Sequence, residues 1–305
     1  MEFHFLGTGS GVPAIERNVS ALALRFLQQK GTQWLFDCGE ATQHQLLHSP
    51  ITLTKIDRIF ITHLHGDHIF GLPGLLGSRS FQGARSPLTI YGPKGLATFI
   101  DASLTVSRTH LRYPYKVIEV EEGLVLETED VLVYALELEH VMPCFAFKIT
   151  EKDKPGKLDM GRLQSLNIPK GPIYQRIKEG KTVELEDGSK VNGKDFVGPP
   201  QKGRMIVIAG DTRPIKKMVD FSRGANVLVH EATFRGDKQE HAAQFGHSTI
   251  EEATALAKEA QVKTLILTHI SSRYSGEEEE FELEAKHYFS NVHIAHDMMV
   301  YKLST

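Results

Sequence analysis

The chain has 305 residues, 41% hydrophobic and 24% charged, which is ample apolar material for one large core or two small ones. A formal charge of −3 does not mark a general nucleic-acid binder, although a whole-chain average can hide a local basic patch. Two cysteines, Cys38 and Cys144, without C-x-x-C spacing exclude a disulfide framework and read as small buried residues of a reducing compartment.

Met1 to Leu6 passes straight into an alternating strand without a basic or apolar leader, and no run approaches the roughly 20 apolar residues a bilayer span needs. A soluble cytoplasmic protein with no membrane partner is expected. Gly7-Thr8-Gly9-Ser10-Gly11 follows that strand; its spacing is not G-x-G-x-x-G, so a tight turn passing close to a ligand is expected instead of a dinucleotide loop. Residues 19–27 and 33–37 read as a hairpin pair and Glu40 to Leu47 as a helix. Asp37 then stands at a strand end, where a carboxylate can orient a metal-bound imidazole.

Ile56 to Ile61 alternates and is rich in β-branched residues, which predicts a strand. It runs into His63-Leu64-His65-Gly66-Asp67-His68. In extended chain His63 and His65 point to one side. Gly66 supplies the backbone freedom to fold Asp67 and His68 toward a second point, so one strand end can serve two metal ions. Imidazole and carboxylate without thiolate leave a divalent ion Lewis-acidic enough to activate water, which makes this a hydrolytic ligand set.

Gly71 to Leu76 opens a helix beside that cluster; strands at 88–91 and 131–139 flank a helix near 94–104, and the second strand delivers His140. Residues 151–204 differ in kind. They hold 8 Gly and 5 Pro, with 12 Lys or Arg against 8 Asp or Glu, a balance of +4 that leaves the rest at −7. Without a sustained apolar period, this stretch is expected to be a protruding flexible arm inserted in a single domain spanning 1–305.

The pattern resumes in Met205 to Ala209, a strand ending in Gly210-Asp211, and in Val227 to Glu231. His247-Ser248-Thr249 precedes a helix, capped by Ser248 with Glu251 or Thr249 with Glu252; Ile250, Ala253, Leu256, Ala257 and Ala260 keep helical spacing. Thr264 to Thr268 is a strand ending in His269. Glu277 to Lys286 reads as an exposed acidic helix, and 292–295 and 298–302 as short closing strands. The candidate ligands His63, His65, Asp67, His68, His140, Asp211 and His269 all fall at strand ends. An α/β fold of two mixed sheets packed face to face, with helices outside, brings those ends to one rim.

His63-x-His65-x-Asp67-His68 with His140, Asp211 and His269 behind it resembles the metallo-β-lactamase superfamily. Within it, His230-Glu231-Ala232-Thr233, His247-Ser248-Thr249 and His269-Ile270-Ser271-Ser272-Arg273-Tyr274, plus the Gly/Pro-rich arm, resemble the short-form tRNase Z (ribonuclease Z) family over nearly the whole length. One motif departs: the family's Pro-x-Lys-x-Arg-Asn loop stands here as Pro13-Ala14-Ile15-Glu16-Arg17-Asn18, and Ile15 at the Lys position bears on how the loop treats a CCA-ended RNA. The resemblance implies an αββα sandwich with two Zn²⁺ per subunit. His63, His65 and His140 would hold one ion, Asp67, His68 and His269 the other, and Asp211 would bridge them. It also implies a homodimer, with the arm of one subunit presenting RNA to the site of the other, and no DNA partner.

The expected activity is endonucleolytic removal of the 3′ trailer of precursor tRNA. Asp67 is the candidate general base. His247, charged and oriented by Glu231, is the candidate proton donor to the leaving ribose oxygen, while His230 reads as structural. Ser248 and Thr249 at the helix start suit a phosphate. Arg273, Tyr274, Arg17 and Asn18 are candidate substrate contacts, and Lys152, Lys154, Lys157, Lys170, Arg176 and Lys178 of the arm are candidates for RNA phosphates. The same ligand set serves other phosphodiester and ester hydrolyses, and a non-catalytic, metal-stabilised RNA-binding module stands as the reading from another class.

Overall fold

The computed structural model describes residues 1–27, 31–185 and 187–304. They form two compact units: Met1–Glu127 with Val133–Ile149 and Met205–Thr305, and Thr128–Leu132 with Thr150–Arg204.

The first unit begins with β1 (Glu2–Gly7), β2 (Ala21–Arg25), β3 (Gln33–Phe36), α1 (Thr42–Leu47), β4 (Ile56–Phe60), α2 (Gly66–Ile69), α3 (Leu72–Phe81), β5 (Leu88–Gly92), α4 (Leu96–Val106) and β6 (Tyr115–Glu119). It continues through β7 (Gly123–Glu127), β8 (Val131–Leu138) and β9 (Cys144–Glu151); the first two residues of β8 and the last two of β9 are counted in the second unit. That second unit holds α5 (Met160–Ser165), α6 (Pro172–Lys178), β10 (Thr182–Glu184) and β11 (Lys190–Asn192). The chain returns to the first as β12 (Met205–Ala209), α7 (Lys216–Ser222), β13 (Val227–Glu231), α8 (Gln239–Phe245), α9 (Ile250–Glu259), β14 (Leu265–Thr268), α10 (Glu278–Tyr288), β15 (Val292–Ile294) and β16 (Val300–Lys302).

One seven-stranded sheet runs β16-β1-β2-β3-β4-β5-β6 and the other β15-β14-β13-β12-β9-β8-β7. The first is mixed, with β1, β2 and β3 pairing antiparallel and β3 to β6 parallel; in the second, β12 to β15 run parallel. Period-two alternation sorts the side chains. On β4, Ile59 joins the cluster beneath α3 and α4, while Phe60 faces the other sheet, stacked on Phe36 at 5.0 Å and tilted against Phe147 of β9 at 5.2 Å. Each such ring pair contributes about 0.5–1.5 kcal/mol beyond its buried area. Leu96, Ile100 and Leu104 recur every fourth residue and form the buried face of α4. Ile250, Ala253, Leu256 and Ala257 do the same for α9 over Leu228, Leu265 and Leu267. Of the two caps the sequence allows for α9, Thr249 with Glu252 forms: Glu252 N–H donates to Thr249 Oγ1 at 3.3 Å and Thr249 N–H to Glu252 Oε2 at 2.9 Å.

Three strands lack a sequence signal, for physical reasons. Cys144 to Phe147 of β9 are buried on both faces, so nothing alternates. β6 and β7 are sheet-edge strands with exposed positions. The arm segment also holds more order than its composition suggests: Leu163, Ile168, Ile177, Val183 and Phe196, scattered over short elements, close a small core. Asp159 caps α5 by accepting from Arg162 N–H at 3.0 Å. At its two ends Glu151 and Arg204 form a doubly bonded pair, Nε and Nη2 each 2.6 Å from a carboxylate oxygen. Cys38 and Cys144 are free and buried, and among the described residues no helix is long and apolar enough to cross a membrane.

The loop after β3 locks onto α2 and the start of α3. Cys38 N–H donates to His68 O at 2.7 Å and Gly71 N–H to Cys38 O at 2.9 Å. A Cβ on Gly71 would collide with the Gly39 carbonyl, and one on Gly39 with the Asp67 carbonyl. Gly71→Ala therefore forces these backbones apart and is expected to destabilise the protein by about 1–3 kcal/mol. Urea unfolding of the variant checks this; an unchanged midpoint would show that the contact yields freely.

Candidate metal centre

Five imidazoles and two carboxylates meet at the strand ends. His63 and His65 stand on the extended chain after β4, and Asp67 and His68 on the single turn of α2. His140 follows β8, Asp211 follows β12, and His269 follows β14 with φ of +56°. Gly66 needs no unusual dihedral, contrary to the sequence expectation; what it lacks is room, since a Cβ there would strike the Phe70 ring.

The donors fall into three groups, each with its atoms within 4.8 Å of one another: His63, His65, His140 and Asp211; Asp67, His68 and His269; and Asp211, His247 and His269, which overlaps the other two. In the first group, His65 Nδ1 lies 3.1 Å from His63 Nε2 and 3.3 Å from His140 Nε2. In the second, His269 Nε2 lies 3.3 Å from both His68 Nε2 and Asp67 Oδ2. Asp211 Oδ2 stands between, 3.5 Å from His63, 3.6 Å from His68 and 3.4 Å from His269.

Four of the rings have their tautomers set from behind. His68 Nδ1–H donates to Asp37 Oδ2 at 2.8 Å and His140 Nδ1–H to Gly246 O at 2.7 Å. Thr62 Oγ1 gives its proton to Asp37, so it accepts from His63 Nδ1–H at 3.0 Å. Thr233 Oγ1 gives its proton to Glu231 Oε2 and accepts from His269 Nδ1–H at 2.9 Å. In the neutral rings each Nε2 therefore aims a lone pair at its neighbours' lone pairs and at carboxylate oxygens. Only protons or metal cations relieve such convergence, and the nitrogen and oxygen donor set fits divalent ions.

Electrostatics point the same way. Burial, the largest influence, pushes the Asp211 carboxyl up, but the charges of His269, His68 and His63 outweigh it and hold Asp211 well below the usual carboxylate range. Burial likewise raises Asp67, yet the hydrogen bond from His269 and the charge of His68 keep it low. Burial depresses His63, His65 and His140. Asp67 Oδ2 also accepts from Gly11 N–H at 2.7 Å, which brings the glycine-rich loop to the site.

Beside the donors lies a second apparatus. The buried Glu231 Oε1 is 3.0 Å from His247 Nδ1 and accepts from Thr212 N–H and Ser248 N–H, both at 3.1 Å. Its Oε2 accepts from the Thr233 amide and hydroxyl at 2.9 and 2.8 Å. Burial pulls His247 down, but the hydrogen bond and charge of Glu231, with Asp211 and Asp67 behind, raise its pKa to about 9. His247 lines a cleft of about 240 Å³ together with Ser10, Gly11, Asp67 and Asp211.

Several other sequence candidates are not among the residues lining that cleft, and some face inward. Arg17 is only 7% exposed, its guanidinium donating to Thr8 Oγ1 at 2.8 Å and Ala295 O at 2.6 Å; the side chain holds the loop instead of offering itself to a substrate. Asn18 binds Glu40 O through its side chain. Tyr274 is buried against Phe281 and its hydroxyl accepts from Arg235 N–H, so its ring offers no stacking face. Ser248 spends its hydroxyl on Thr212 O at 2.6 Å and Thr249 its own on the α9 cap. His230 is buried in β13, with Nδ1 on Glu231 O. Arg273 is exposed and lies over the Phe234 ring at 4.8 Å. In the arm, Lys157, Lys170, Arg176 and Lys178 are exposed and Lys152 and Lys154 half-buried. Sequence reading missed Thr62, Phe234, His241 and Phe245, and quoted Thr233 within the His230–Thr233 motif without giving it a role. Thr62 sits directly before His63, which was its only signal.

Comparison with known proteins agrees. Residues 1–154 match the family model described as anti-Pycsar protein Apyc1, and residues 196–270 the beta-lactamase superfamily domain. The chain is 58% identical over 304 residues to a ribonuclease Z of Halalkalibacterium halodurans, covering 99% of this chain and 98% of that one. It is 56% identical over 303 residues to a ribonuclease Z of Shouchella clausii, covering 99% and 97%. Among solved structures, human tRNase Z, short form, aligns over 100% of both chains with a TM-score of 0.72 and 31% identity.

The raised pKa of His247 gives its pairing with Glu231 a pH signature. The stability it contributes is fully present below the ordinary histidine value of about 6.5 and is lost as pH rises through about 9. In Glu231→Gln the partner charge is gone, so the His247 pKa is expected to fall and this loss of stability between those limits to vanish. Ring-proton NMR titration and urea midpoints of the metal-free protein measure both; an unmoved His247 pKa would contradict the assignment.

Proposed function

The chain belongs to the ribonuclease Z family, and from that premise we infer that it is a tRNA 3′-processing endoribonuclease, hydrolysing the phosphodiester 3′ of the discriminator nucleotide and releasing the trailer. The observation that carries this reading to residues is the adjacency of a metal-type donor cluster and the His247–Glu231 pair in one cleft.

His63, His65 and His140 are assigned to one Zn²⁺, Asp67, His68 and His269 to a second, with Asp211 shared. Zinc held there would supply positive charge, lowering the pKa of water toward about 7 and offsetting the charge of the phosphodiester. Asp67, held ionised and steadied by Gly11 N–H, takes the proton of the attacking water. His247, protonated at neutral pH, gives its proton to the departing ribose 3′ oxygen. Glu231, fixed by the backbone amides of Thr212, Thr233 and Ser248, keeps that imidazole charged and turned toward the cleft. Asp37 holds His68 from behind with both its oxygens engaged.

The segment 151–204 is assigned as the RNA-binding arm. Lys157, Lys170, Arg176 and Lys178 are exposed there, in the stretch carrying the +4 balance while the remainder is at −7; Lys152 and Lys154 complete the set. Phosphate contacts of this kind hold a folded RNA by shape and charge, with little regard to sequence. The reading includes a homodimer, arm of one subunit to site of the other, and residence in the cytoplasm with the substrate.

A 5′-labelled precursor tRNA with a 3′ trailer tests the reading. The zinc-loaded protein is expected to make a single cut after the discriminator nucleotide, and His247→Ala to lower kcat by about 10²–10⁴-fold with KM little changed. No cut would overturn the assignment, and an unimpaired His247→Ala would remove the proton donor.

A further inference from the structure

One wall of the cleft is aromatic and is used by nothing in the chemistry above. Phe234 lies edge-on to His247, ring centroids 6.0 Å apart. His241 meets Phe234 edge-on at 5.0 Å, and Phe245 follows at 4.6 Å from His241. His241 and Phe245 are four residues apart on α8 and so share one of its faces. All three rings line the same cleft as Asp67 and Asp211.

Their exposure differs in a telling way. Phe234 is 5% exposed and already carries the Arg273 guanidinium over its ring at 4.8 Å, whereas Phe245 is 48% exposed. The wall is also rigid. Ala242 of α8 is buried in the core, Ala243 O accepts from Arg213 Nε at 2.7 Å, and the following Gly246 O holds His140 at 2.7 Å. The residue that closes α8 thus fixes both the wall and a candidate metal ligand.

We propose that Phe245 and His241 form a stacking platform for the base of the discriminator nucleotide. The inference rests on the endonuclease reading, in which His247 protonates the 3′ oxygen of that nucleotide's ribose. The base on that ribose lies within one sugar of His247, and the row of rings begins there. A ring face accepts any base through its π system, which suits a position that an enzyme must hold without reading. Phe245 and His241 are positioning residues: they register the scissile bond against Asp67 and His247 and take no part in proton transfer.

The test crosses two protein forms with two substrates, zinc-loaded wild type and Phe245→Ala, each on an intact precursor and on one abasic at the discriminator position. Cleavage of the intact precursor by wild type reports on the endonuclease reading alone. The platform predicts that Phe245→Ala raises KM about 5- to 100-fold on the intact RNA, with kcat little changed. It also predicts no further loss on the abasic RNA, and rescue by Phe245→Tyr. Equal losses on both RNAs, no loss on the intact one, or coupling instead to an abasic first trailer nucleotide would each overturn the proposal.

Discussion

Lone pairs pointed at lone pairs govern this molecule. His63, His68, His140 and His269 each have Nδ1 engaged from outside and Nε2 driven inward toward Asp67 and Asp211. A buried set of that kind is costly without cations, so the fold around it is built to prevent retreat. Two sheets supply strand ends from both sides, and the Gly39–Gly71 contact holds the loop after β3 against the α2 turn. Asp37, Thr62, Thr233 and Glu231 are as much part of the site as the inward donors, because they decide which nitrogen faces in.

Glu231 ties the donor cluster to His247, the proposed proton donor. Through Thr233 it sets His269, and through Oε1 it charges His247. One buried carboxylate thereby fixes the tautomer of a metal-type ligand and raises the pKa of the neighbouring His247. Substitution there strikes two functions at once, whereas Phe245, on the same cleft but outside that network, separates placement of the substrate from chemistry.

Much of the site was legible in the sequence because it lies in short contiguous motifs at strand ends. His63 to His68, Asp211 and His269 needed only the rule that apolar strands deliver polar residues to a rim. What stayed illegible depends on tertiary facing. Arg17 and Tyr274 carry the right chemistry for RNA yet point into the protein, and no periodicity distinguishes inward from outward in a loop. The aromatic wall joins residues 234, 241 and 245 across a loop and a helix of about two turns whose pattern is too short to read. β9 was hidden by burial on both faces, and the small core around Leu163 and Phe196 by apolar residues scattered among glycines and prolines.

In the proposed mechanism the converging donors hold two ions that the cleavage needs. Metal analysis of the chelator-stripped protein during zinc titration, with precursor cleavage followed at each step, tests it most directly. Two tightly bound equivalents per chain are expected, with no cleavage in the stripped protein and full activity only as the second equivalent binds. Cleavage at an undiminished rate by protein shown to be free of metal would contradict it.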